Sequence, residues 1–162
     1  MADVSGRPPL VVRAVIGATA LAGLVFTGLL MLADRAPALL RRTFGDQVSR
    51  LWDRIDAAGA PGELTRGARE RPDLLVHVVV WSAVTFLAAL TVWTVRGVAL
   101  VVGAALVTGV VVEWAQGRFT HSRAVQISDL VGNALGVAAG AAGALVVIAA
   151  GRLVAAVRRQ AR

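Results

Sequence analysis

The chain has 162 residues, of which 57% are hydrophobic, and its mean hydropathy is +0.70. This composition excludes an ordinary soluble domain, and the absence of cysteine excludes disulfides and thiolate metal sites. The net charge of +7 does not by itself indicate nucleic-acid binding, because the sequence contains no nucleic-acid-binding motif. Arginines beside apolar segments commonly contact anionic lipid headgroups instead. We therefore expect membrane lipids as partners and no nucleic acid.

Four apolar blocks predict membrane-spanning helices, because a bilayer core of about 30 Å needs about 20 helical residues. The expected spans are about residues 11–33, 74–95, 97–116 and 130–151, with a tight turn at Arg96 and Gly97 and a basic tail after the last span. The first block is longer than the roughly 7–15 apolar residues of a signal peptide, so we expect it to be retained. The predicted fold is an all-α membrane protein, with four transmembrane helices in one antiparallel bundle and a single domain over residues 1–162.

The connection between the first two spans contains a predicted amphipathic helix at about residues 37–58. Its apolar residues recur at spacings of three and four, which is the period of one helix face. They are Leu40, Phe44, Val48, Leu51 and Ile55. Trp52 beside this stripe favours a position in the membrane interface. The alternative is a helix that caps the bundle or binds a partner.

An even number of spans places both termini on the same side of the membrane. Arg7 and Arg13 precede the first helix, and this bias favours cytoplasmic termini. The arginines of the two longer connections, counted alone, favour the opposite orientation. We expect a multi-pass protein of the cell membrane with its termini in the cytoplasm.

Polar residues lie at one end of the second, third and fourth predicted spans. Because consecutive spans alternate in direction, these residues reach the same membrane border in either orientation, and polar residues inside a membrane are a functional-site hypothesis by default. They are Asp73, His77, Glu113, Gln116, Asp129 and Asn133. Glycines at four-residue spacing, Gly132, Gly136 and Gly140, let a neighbouring helix approach closely. We expect this packing to bring Asp129 and Asn133 near Glu113.

In this arrangement the sequence resembles the VanZ-like membrane proteins of bacteria. The resemblance rests on Asp-xxx-His, then Glu-xx-Gln, then an arginine, then Asp-xxx-Asn-xx-Gly-xxx-Gly. In this sequence the matching positions are Asp73, His77, Glu113, Gln116, Arg123, Asp129, Asn133, Gly136 and Gly140. Leu74 stands where the family usually has Lys, and Trp81 where it usually has Tyr or Phe. The resemblance implies a cell-envelope role, since the family's namesake is associated with low-level teicoplanin resistance, but it implies no particular reaction.

Three functions fit these residues. Arg118 and Arg123 could form a rim that binds an anionic lipid or envelope precursor, since Arg makes bidentate contacts to phosphate and carboxylate. Alternatively, His77, Glu113 and Asp129 could serve an acid–base or metal-dependent enzyme. The third possibility is a structural network in which Arg123 pairs with Glu113 or Asp129. Neither a nucleophile elbow nor an HExxH motif occurs, so we favour binding without turnover and expect no cofactor and no metal.

Overall fold

The computed structural model describes residues 6–32, 36–59, 72–119 and 127–161, together with Gly62, Arg66 and Glu70. The four longer ranges contain five helices and no strand: α1 (Leu10–Leu32), α2 (Ala36–Ala57), α3 (Pro72–Val92), α4 (Val95–Phe119) and α5 (Ile127–Gln160). All of them except α2 are long and apolar enough to cross a membrane. The predicted all-helical fold with four helices able to cross a membrane is therefore confirmed.

The turn between α3 and α4 lies at Trp93 and Thr94, so the predicted turn at Arg96 and Gly97 is wrong. Trp93 has a φ of 54°, a left-handed conformation that ends α3. The Thr94 hydroxyl accepts a hydrogen bond from the backbone N–H of Gly97 at 3.1 Å, which caps the start of α4. Arg96 and Gly97 consequently belong to the first turn of α4.

The last helix continues well beyond its predicted end at residue 151. It extends to Gln160, so most of the predicted basic tail is helical. Neither proline nor glycine follows Gly151, and Ala and Arg are good helix formers, which explains the continuation. Arg152 donates a hydrogen bond from Nη2 to the carbonyl oxygen of Trp93 at 3.3 Å. This contact ties α5 to the turn between α3 and α4.

The helix α2 forms within one residue of the amphipathic helix expected from the sequence. Gly59 ends it with a φ of 83°, a conformation that glycine adopts without steric cost. Ile55 is half-buried. The side chains of the other four stripe residues, Leu40, Phe44, Val48 and Leu51, lie outside the described part of the chain, as does that of Trp52.

The most extensive helix interface in the described residues joins α3 and α5, and glycines make it possible. A Cβ at Gly136 would lie 2.5 Å from the carbonyl oxygen of Val78, and one at Gly132 would lie 2.9 Å from the Cβ of His77. Only residues without side chains allow the two backbones to come this close. Ser82 also donates a hydrogen bond to the carbonyl oxygen of Gly136 at 3.1 Å. The neighbour of the glycine stripe is therefore α3.

The main apolar core and a group of buried polar residues occupy opposite ends of the helices; the polar group consists of His77, Glu113, Gln116 and Asn133. Near the turn between α3 and α4, the core includes Leu90, Trp93, Val98 and Ile148. A second apolar cluster of Trp81, Ala105 and Val137 lies further toward the start of α3. α1 packs against the outside of α3, where a Cβ at Gly17 would lie 3.3 Å from a methyl of Thr91. Beyond the second apolar cluster, the buried side chains are polar.

Candidate functional site: a buried polar cluster at one end of the helices

Three helices each contribute a buried polar side chain close to the same end. His77 lies in the second turn of α3, Glu113 in the second turn from the end of α4, and Asn133 in the second turn of α5. At 1.5 Å per residue, each lies within about 10 Å of its helix end. Their exposed fractions are 2%, 2% and 3%. Buried polar groups require partners, and these three provide them for one another.

Asn133 connects His77 to Glu113. The Nδ1 atom of His77 lies 2.6 Å from Oδ1 of Asn133, and Nδ2 of Asn133 donates to Oε1 of Glu113 at 3.3 Å. The amide oxygen of Asn133 can only accept a hydrogen bond, so the Nδ1 atom of His77 beside it is the donor. His77 consequently carries a hydrogen on Nδ1, and this N–H donates a hydrogen bond to Asn133.

The other ring nitrogen of His77 faces a second carboxylate. Nε2 lies 3.8 Å from Oδ2 of Asp129, whose side chain is 14% exposed. This distance is too long for a hydrogen bond. On the opposite side of the ring, Nδ1 lies 3.4 Å from Oε1 of Glu113. The imidazole is therefore flanked by two carboxylates from two different helices.

His77, Glu113 and Asp129 form a group that could hold a metal ion. One donor atom from each residue lies within 4.8 Å of the donor atoms of the other two. Two like charges at this separation repel by ~3–4 kcal/mol at an effective dielectric constant of about 20. A proton or a metal ion close to the imidazole would offset this repulsion, so the arrangement suits either acid–base chemistry or cation binding.

Gly109 makes room for the cluster, and the sequence reasoning missed it. It lies one turn before Glu113 on the same face of α4, and a Cβ there would lie 3.3 Å from Nδ2 of Asn133. A larger residue would push Asn133 away from Glu113. A glycine four residues before an intramembrane carboxylate is a signal that could have identified this position.

The remaining predicted site residues differ in their placement. Gln116 is 2% exposed and lies about one turn beyond Glu113, whereas Asp73 is exposed in the first turn of α3. Arg118 is exposed in the last turn of α4. Arg123 lies outside the described residues, and so does its predicted pairing with Glu113 or Asp129.

Trp81 closes the cluster toward the centre of the helices. It follows His77 by one turn of α3 and is 1% exposed. In the described part of the chain, its indole Nε1 has no hydrogen-bond partner, and neither has the hydroxyl of Thr85 one turn further on. The aromatic residue noted in the sequence at position 81 thus separates the polar cluster from the apolar core.

Comparisons of the chain with known protein families, with curated proteins and with solved structures found no match. Its function is therefore argued from the polar cluster and its position in the fold.

Proposed function

We propose that the chain is a VanZ-like protein of the bacterial cell membrane, with four spans in an antiparallel bundle and α2 in the membrane interface. The order of contacts supports the bundle. Gly132, Gly136 and Gly140 of α5 lie against successive turns of α3, so α3 and α5 run in the same direction. This is expected of an antiparallel bundle in which α4 runs back between them. The apolar stripe of α2 supports its interfacial position. The resemblance in motif residues supports the family.

The proposed orientation rests on the arginines that precede the first helix, Arg7 and Arg13, rather than on those of the two longer connections. With cytoplasmic termini, Arg96 and the basic last turns of α5 lie on the cytoplasmic side, in keeping with the bias of positive charge toward that side. The polar cluster then lies near the outer border of the membrane. That is the border at which an envelope precursor or the headgroup of an outer-leaflet lipid would be met.

The function is binding of an anionic headgroup, from a membrane lipid or a lipid-linked envelope precursor, at this polar end. The observation that carries the proposal is the buried His77–Asn133–Glu113 network one to two turns inside the helix ends, with the exposed Arg118 at the same end. Arginine recognises phosphate and carboxylate groups, and basic residues at helix ends bind lipid headgroups. Arg123, in the segment between α4 and α5, is the second arginine of the proposed rim.

A second candidate function is acid–base catalysis within the membrane. It is favoured by the position of the His77 imidazole between Glu113 and Asp129, at 3.4 and 3.8 Å. An imidazole flanked by carboxylates can accept or donate a proton. A purely structural role is the third candidate, in which the same hydrogen bonds only hold α3, α4 and α5 together.

Lipid binding to the purified protein tests the proposal. We expect phosphatidylglycerol to bind more tightly than phosphatidylcholine, and Arg118→Ala to weaken this binding about five-fold, because an arginine at a headgroup surface contributes ~1 kcal/mol. Arg96→Ala is the matched control, since Arg96 is exposed at the opposite end of the same helix. Arg123→Ala and Asp129→Asn should weaken binding further than Arg118→Ala.

Incubation with labelled lipid extracts separates binding from catalysis. The proposal expects the lipids to be recovered unchanged. Protein-dependent conversion of any lipid that is lost in Glu113→Gln would favour the enzyme instead. Equal binding of the two lipids by the wild type would refute headgroup recognition and leave the structural role.

A further inference from the structure

We infer that His77, Glu113 and Asp129 hold one divalent cation, and that this cation is what accepts the anionic headgroup. The cation site rests on contacts alone, whereas the bridging role rests on the proposed function. A cation held by these residues would offer a phosphate a positively charged ligand beside the two carboxylates.

The hydrogen bonds of Asn133 prepare His77 as a metal ligand. Because Nδ1 donates to Asn133, the lone pair of the ring lies on Nε2, which faces the carboxylate of Asp129 at 3.8 Å. The lone pair of Nε2 and the carboxylate oxygen of Asp129 then face each other at 3.8 Å, which is too far for a hydrogen bond. A cation bound to both would satisfy both, and Asn133 would hold the imidazole in the required tautomer, as partners of metal-bound histidines commonly do.

The ligand set indicates the kind of ion. One imidazole and two carboxylates suit first-row divalent ions such as Mn²⁺, Fe²⁺ and Zn²⁺. Glu113 supplies the third donor, since one donor atom of each residue lies within 4.8 Å of the others. With three protein ligands, such an ion keeps open coordination positions. Asp129 is the most exposed of the three side chains, so an external oxygen ligand would approach from its side.

The position of the site fits a bridging ion. Its three residues lie close to the helix ends, where a headgroup could reach them, and Trp81 closes the opposite side. A divalent cation would neutralise the two carboxylates and present its open positions to phosphate oxygens.

Manganese alone tests the cation site in the full-length protein purified in detergent. Electron paramagnetic resonance should show one bound Mn²⁺ per chain, with hyperfine coupling to an imidazole nitrogen. Wild-type protein that binds no Mn²⁺, or binds it without nitrogen coupling, would overturn the site without recourse to any variant.

Variants then locate the ion. Asp129→Asn and Glu113→Gln should each weaken Mn²⁺ binding by at least about ten-fold, and Asn133→Ala by about 10–100-fold through loss of the correct tautomer. Asp73→Asn is the matched control, since Asp73 is an exposed carboxylate at the same end of the helices. Equal loss in Asp73→Asn would show diffuse surface binding and would refute the site.

Chelation separates the inference from the proposed function. Removing the ion should weaken phosphatidylglycerol binding by about ten-fold, and inorganic phosphate should compete only if the headgroup phosphate is the group recognised. If the chelator leaves lipid binding unchanged, the bridging role is wrong and the proposed function stands. If Mn²⁺ binds and neither phosphatidylglycerol nor inorganic phosphate does, the cation site stands and the proposed function is wrong.

Discussion

At the scale of single residues, Asn133 has the greatest influence on the site. Its amide oxygen and amide nitrogen contact groups on two other helices, His77 on α3 and Glu113 on α4. No other side-chain type offers a donor and an acceptor in this fixed geometry, apart from the longer Gln. One residue thus accepts a hydrogen bond from the imidazole and donates one to the carboxylate.

Replacing Asn133 by Ala should destabilise the protein by about 1–2 kcal/mol. Hydrogen bonds between membrane helices average only ~0.6 kcal/mol each, but the change also leaves a buried imidazole N–H and a carboxylate without this partner. Thermal unfolding in detergent measures the loss. Thr19→Ala is the control, because the exposed Thr19 hydroxyl donates a hydrogen bond to the Val15 carbonyl of its own helix. Equal melting temperatures for wild type and Asn133→Ala would mean that the network contributes nothing to stability.

At the scale of helices, the interface between α3 and α5 determines where the polar side chains meet. Its glycines place the backbone of α5 directly on the backbone of α3, from Gly132 beside His77 to Gly140 beside Ser82 and Phe86. The turn between α3 and α4 is held by two arginines, because Arg13 donates to the carbonyl oxygen of Thr91 at 2.6 Å and Arg152 to that of Trp93. These carbonyls lie at the end of α3, where helical partners are missing. The ends of α3 are therefore fixed by different means, close glycine packing at one and arginine hydrogen bonds at the other.

Gly140→Ala should destabilise the protein by about 1–3 kcal/mol, because the added Cβ would overlap the backbone carbonyl oxygen of Ser82. Gly103→Ala is the matched control on α4, where a Cβ would meet no atom of the described residues within 4 Å. There the change should leave stability unchanged or raise it slightly, since Ala favours helix more than Gly. Melting temperatures of the two variants in detergent test the contrast. A neutral Gly140→Ala would show that α3 and α5 are not in close backbone contact.

At the scale of the whole molecule, the surface is apolar where a bilayer would surround it. Large apolar side chains on several helices are strongly exposed, among them Leu100 and Ile127, at 76% and 80%. A soluble protein would not expose so much contiguous apolar surface. The buried ionisable side chains His77 and Glu113 instead lie at one end of the helices. This distribution suits a protein whose four long apolar helices could be embedded in a membrane.

The proposed four-span topology predicts the results of reporter fusions. A reporter active only outside the cell should be inactive when fused after Arg162 and active when fused after Phe119, because three spans end on the opposite side from four. The full-length fusion and the truncated fusion serve as controls for each other. Activity after Arg162 and inactivity after Phe119 would reverse the orientation and place the polar cluster on the cytoplasmic side.

The sequence by itself determined the four apolar helices and the end at which their polar residues lie. Both follow from local properties, since hydropathy and helix length are read along the chain and alternate spans return to the same border. It also indicated that Gly132, Gly136 and Gly140 would allow close packing. The sequence did not locate the turn at Trp93. Nothing in the neighbouring residues shows that this tryptophan adopts a left-handed backbone conformation and not a helical one.

Only the tertiary structure decided which polar groups touch. That Asn133 joins His77 to Glu113, and that Gly109 leaves room for it, depends on the rotation and approach of three helices. These are set by side-chain packing across interfaces, and a shift of 1 Å would separate hydrogen-bonding partners without changing the hydropathy of any segment. The sequence therefore placed His77, Glu113 and Asn133 at one end of the helices, while their contacts required the packed helices.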